Sequence, residues 1–176
     1  LSSIEGEAEE EKILKYWKNK ETDKTTQKLT IAGDASIFYN GVATSDEEYA
    51  AENMLEVLTS GYVTLVDIDK DDVYDLVFMT KYVNYVVDEV SLSGHKIMDK
   101  GTNPSLKLDP EDAALTFSIV KNGVEIGLED LEEYDVLSVA MSGKTPDTSS
   151  VINIIVSNDT VEGVITEVSE DKFTID

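Results

Sequence analysis

The chain has 176 residues, with 14 lysines, no arginine, 37 acidic side chains, one histidine, no cysteine and a formal net charge of −23. Without cysteine there are no disulfides, thiolate metal sites or cysteine nucleophiles, and a lone His95 cannot supply a multi-histidine metal site. Nucleic acid is excluded as a partner because phosphate binding rests on Lys and Arg, and no apolar run approaches the roughly 18 residues that would insert in a membrane.

The chain opens on Leu1 with no leader pattern, and it reads as an excised piece of a longer protein. Residues 1–30 carry seven acids and six lysines, so nearly all the negative charge lies further on. The lysine cluster (Lys12 to Lys28) could grip an anionic wall polymer; the plainer reading is a solvated hairpin whose lysines guard an edge strand. Within it, Tyr16 and Trp17 are adjacent, so strand alternation turns one inward and the other outward. The outward ring could stack on a glycan or a protein ligand, or simply cover a sheet edge.

Val, Ile and Thr together number 47, more than a quarter of the chain, and these β-branched types favour strands. Strands are expected at Ser36–Tyr39, Tyr62–Val66, Asp75–Met79, Asn84–Val90, Leu115–Val120, Val136–Met141, Val151–Val156 and Val161–Val168. Asn40-Gly41 and Asn122-Gly123 are hairpin turns of the kind that needs positive φ at both central residues. One helix is expected from Ser45, capped with Glu48 and stopped at Gly61, and a helical turn from Leu128 to Glu132. His95, beside Gly94, reads as an exposed turn residue.

Between two of these strands Asp67, Asp69, Asp71 and Asp75 occupy positions 1, 3, 5 and 9 of a loop. With the Val73 carbonyl at position 7, they could offer a calcium ion the oxygens it needs at about 2.4 Å. Two departures stand against this: position 6, usually Gly, is Asp72, and position 12 is Phe78 in place of a bidentate Glu. The competing account is an acidic hairpin tip, where Asp is common because it suits turns. Calcium is thus the one cofactor the residues could hold, and none is required. The matching loop from Ser142 to Ser150 keeps only Asp147. No nucleophile elbow or singled-out carboxylate pair points to catalysis.

The chain also repeats itself. Ser36-Ile37-Phe38-Tyr39-Asn40-Gly41-Val42 is nearly copied in Ser118-Ile119-Val120-Lys121-Asn122-Gly123-Val124. Three openers, at Ile4, Val83 and Val161, lie 79 and 78 residues apart, each followed by a strand starting at Lys12-Ile13, Lys96-Ile97 or Lys172-Phe173. The expected architecture is mainly β: two tandem barrel- or sandwich-like modules, 1–82 and 83–160, each with a short helix or helical turn. Residues 161–176 would be a closing hairpin or the start of a third module. Tyr82 and Tyr85 would pack between the modules.

The strings Ser36 to Gly41, Tyr62 to Asp71, Tyr74 to Phe78 and Tyr134 to Val139 resemble the repeated β modules of S-layer-type surface proteins of Gram-positive bacteria. The wall-docking S-layer homology motif itself is not among them. The resemblance implies an extracellular, cell-wall location and a non-catalytic spacer role, with neighbouring modules, wall polymer or surface-layer protein as partners. A glycan- or protein-binding module using Tyr16 and Trp17 is the alternative.

Overall fold

Short apolar alternations punctuated by Asn-Gly and Asp-rich turns build an almost purely β chain in the computed structural model, which describes residues 3–6, 10–44, 59–157, 163–169 and 172–175. The first sheet comprises β1 (Ser3–Glu5), β2 (Lys12–Tyr16), β3 (Gln27–Tyr39), β4 (Val42–Thr44), β5 (Gly61–Val66) and β6 (Val73–Lys81). Its strand order is β1-β2-β3-β6-β5, with β4 folded back on β3. The second comprises β7 (Val83–Ser91), β8 (Lys96–Asp99), β9 (Leu106–Lys107), β10 (Thr116–Lys121), β11 (Val124–Glu125), β12 (Val136–Met141) and β13 (Val151–Ser157), ordered β11-β10-β13-β12-β7-β8-β9. A separate hairpin, β14 (Ile165–Val168) with β15 (Phe173–Ile175), follows.

The expected helix from Ser45 falls on residues 45–58, outside the described residues. Its counterpart is a 3-10 turn, Leu128–Asp130, whose Leu128 is buried and followed by buried Leu131. A second 3-10 turn, Pro146–Thr148, lies between β12 and β13.

Each sheet buries one face in its own core. Leu14, Ile31, Ile37, Val77 and Met79 form the first. A larger set around Tyr85, Val87, Ile97, Ile119, Leu137, Val139, Ile152 and Ile154 forms the second. The alternation along β13 shows the cause: Ile152, Ile154 and Val156 are buried while Val151, Asn153, Ile155 and Ser157 between them are not, as a period of two requires.

The two sheets share one wiring scheme. In the first, β3 ends in the Asn40-Gly41 hairpin to β4, and β6 returns parallel to β3 and antiparallel to β5. In the second, β10 ends in the Asn122-Gly123 hairpin to β11, and β13 returns parallel to β10 and antiparallel to β12. Ile37↔Val77 and Tyr39↔Met79 match Ile119↔Ile154 and Lys121↔Val156 in register. Both Asn-Gly pairs take positive φ (45° and 89°; 55° and 78°), which Asn and Gly tolerate best.

The sheets differ in where the strand ring is open. In the second, β7 pairs with β12, and the gap lies between β9 and β10. In the first, the continuous β3 spans that gap, and the ring is open between β1 and β5.

Two sequence expectations change at the residue level. Lys12 and Lys96 do not face the same way: Lys12 is buried and Ile13 half-buried, whereas Ile97 is buried and Lys96 exposed. Lys12 is therefore no solvated guard lysine. Tyr85 lies in the second core at 1% exposure and does not pack between the sheets, because its position on β7 shares the inward face with Val87.

Candidate functional site

The Asp-rich loop joins β5 to β6. Asp67, Asp69 and Asp71 bring carboxylate oxygens within 4.8 Å of one another, with Asp67 partly covered and the other two exposed. Much of their acceptor capacity is already directed at the loop's own backbone. Asp67 Oδ1 accepts the Lys70 N–H (2.6 Å) and its Oδ2 the Asp72 N–H (3.0 Å). Asp71 accepts the Val73 N–H (2.8 Å), and Asp75 accepts the Ile68 N–H (2.8 Å) across the neck of the loop. Asp72, at the position where Gly is usual, adopts φ 67°, as does Lys70. The neighbouring Asp71 carboxylate, more than any other cause, raises the Asp69 pKa, with partial burial, Asp75 and Asp67 adding to it. Asp75 lies outside the converging trio, and Val73 is the first residue of β6.

Three converging carboxylates can hold a hard divalent cation. They can also simply organise a tight loop. The corresponding β12–β13 loop does the same work with hydroxyls: Ser142 Oγ accepts the N–H groups of Ser150 and Val151 at 3.0 Å each, and Ser149 Oγ accepts the Gly143 N–H at 3.0 Å.

Tyr16 ends β2 on the face that carries Leu14, and Trp17 follows just beyond the strand; both are half-buried. The aromatic grouping that sequence reasoning missed lies elsewhere, on the outer face of the first sheet. Phe38 and Phe78 stack across β3 and β6 with centroids 4.9 Å apart and planes 13° apart. Tyr62 and Tyr82 sit at 6.4 Å, and burial followed by the nearby Tyr62 pushes the Tyr82 hydroxyl pKa up. With Ala140, Asn153 and Ile155 of the second sheet, these rings line a cleft of about 430 Å³ between the sheets. The signal was present in the sequence, since Phe38 and Phe78 each alternate with core residues. Their pairing depended on the parallel β3–β6 register, which sequence does not show.

Beside this cleft Asn40 ties the sheets together. Its Nδ2 donates to the Met141 carbonyl of the second sheet (2.6 Å) and to the Lys81 carbonyl (3.2 Å). Its Oδ1 accepts the Lys81 N–H (2.9 Å), and its own N–H donates to Met79 O (2.9 Å). It is 4% exposed, whereas Asn122 in the equivalent turn is exposed.

His95 also has a structural place. Its φ is 49°, its Nδ1 lies 3.3 Å from Asp109, and its carbonyl accepts the Leu108 N–H. Compared with family models, with curated proteins and with solved structures, the chain has no match.

Proposed function

We propose that the chain is a non-catalytic, load-bearing spacer: tandem β modules from an extracellular bacterial surface protein of the S-layer type. The observation that carries this reading is the wiring scheme shared by the two sheets, joined through the single residue Tyr82 and latched by Asn40. Repetition of one sheet plan with a minimal connection suits a part whose work is to hold distance and angle. The surface location rests on the resemblance of the Ser36, Tyr62, Tyr74 and Tyr134 strings. Calcium at Asp67, Asp69 and Asp71 would serve this role by neutralising crowded carboxylates and stiffening one loop.

The alternative, a module that binds wall glycan or a protein, is favoured by one observation, the aromatic cleft of Phe38, Phe78, Tyr62 and Tyr82. Fluorescence titration with purified wall polymer, reading the tyrosines and Trp17, separates the two. The spacer reading expects no saturable change, and a saturable change would replace it with the binding module.

A further inference from the structure

The open seam of the first sheet has a built-in comparison in the second. The paired core positions Val63↔Met79 and Leu65↔Val77 correspond to Leu137↔Val156 and Val139↔Ile154. On this alignment Tyr62–Leu65 of β5 match Val136–Val139 of β12, the four residues that β7 covers through Val86, Tyr85, Asn84 and Val83. Among the described residues, β5 has a strand on one side only. The Ser60 carbonyl accepts the Tyr82 N–H, so even-numbered backbone groups of β5 point toward β6. Those of Gly61, Val63 and Leu65 then point to the open side. Natural edges are blunted with Lys, Pro, bulges or charges. The Gly61–Val66 edge has none of these in a chain that is 29% charged.

A strand of the type that fills this place occurs once more in the chain. Val83-Asn84-Tyr85-Val86-Val87-Asp88-Glu89-Val90-Ser91 and the segment 78 residues later share Val, Val, Glu, Val and Ser at five of nine positions. The β7–β8 pairing shifts register between Val87 and Glu89, and the β14–β15 pairing shifts between Ile165 and Glu167, again 78 residues on. The β14–β15 hairpin is thus the β7–β8 hairpin repeated. Among the described residues it pairs with nothing else, and Val164, Ile165 and Val168 are 70%, 58% and 74% exposed.

We infer that β5 is a strand acceptor and that its occupant is the β14 strand of a second copy of this chain. By the β7–β12 register, Val164 would face Tyr62 and Gly163 would face Val63, antiparallel. The surfaces joined are different on the two copies, so the contact is head-to-tail and can propagate as an open chain. The inference rests on the topology and does not depend on the surface-protein reading.

The test is light scattering on the full chain across a concentration series, with two variants. Gly163→Pro removes the N–H that would bond to the acceptor edge, and Thr64→Lys places a charge at an exposed position of that edge. The expected result is that the wild-type mass climbs past twice the 19.4 kDa of one chain. Each variant alone stays at 19.4 kDa. A mixture of the two stops at a one-to-one dimer, since each retains the half the other has lost. A wild type that remains a single chain at every concentration would overturn the inference. So would association that survives either substitution, or a mixture that does not pair.

Discussion

Asn40 and Asn122 occupy the same turn in the same conformation, yet only Asn40 spends its amide on a neighbouring sheet. Replacing Asn122 by Ala should cost about 1 kcal/mol, the left-handed penalty alone. Asn40→Ala adds the loss of side-chain hydrogen bonds to buried backbone groups and should cost about 3 kcal/mol. Urea denaturation of the two variants checks the difference, and equal losses would remove Asn40 from its latching role. Asp99 is the other residue whose neighbours make a prediction. Partial burial pushes its pKa up, but the N–H groups of Val86, Asn103 and Gly101 and the Asn103 amide together hold it below the ordinary carboxylate range. A lowered pKa contributes stability that is fully present above the ordinary carboxylate value and lost as pH falls through the lowered one. Asp99→Asn should therefore cost about 1–3 kcal/mol at neutral pH, and the gap from wild type should close in acid. A gap that persists unchanged at low pH would refute the assignment. Lys121 and Asp135 form a largely buried pair at 2.9 Å. Removing either partner strands a charge.

Among the elements, strands with strict alternation were legible in the sequence, and β12 spans Val136–Met141 as its pattern indicates. β3 is far longer than the Ser36–Tyr39 signal, because Gln27 to Ala35 carries mixed polar and small residues and owes its extension to pairing with β2 and β6. The convergence of Asp67, Asp69 and Asp71 could be read from spacing, since alternate side chains on a tight loop point together. The use of their oxygens by loop N–H groups could not, because that depends on the left-handed turns at Lys70 and Asp72. Which aromatic rings would meet was hidden for the same reason: it follows from strand order. The loop carries its own prediction. The raised pKa of Asp69 means its folded form is most favoured below the ordinary carboxylate range, an advantage lost as pH rises through the raised value. Asp69→Asn should accordingly raise the Tm at neutral pH in chelator. Calcium should raise the wild-type Tm, since a ligand held by the native state stabilises it, and should raise that of the variant less. A wild-type Tm indifferent to calcium would leave the carboxylates as loop braces alone.

Over the whole molecule, charge and core size are unevenly shared. Five buried apolar residues anchor the first sheet and fourteen the second among the described residues, so the second should open last. Hydrogen exchange should show greater protection along β7, β12 and β13 than along β2, β3 and β6, and uniform protection would contradict two separate cores. The net charge of −23 pushes the folded chain apart at low ionic strength. Added sodium chloride should raise the Tm through screening, and an unchanged Tm would mean the carboxylates are too dispersed to matter.

Tyr82 is the whole connection between β6 and β7. A tether that short has no slack to give up under tension. Force applied along the polypeptide would pass from one sheet's hydrogen-bond ladder straight into the next, with no entropic spring between. The two sheets would also keep a fixed angular step, so a longer series built on this plan would wind with a constant pitch.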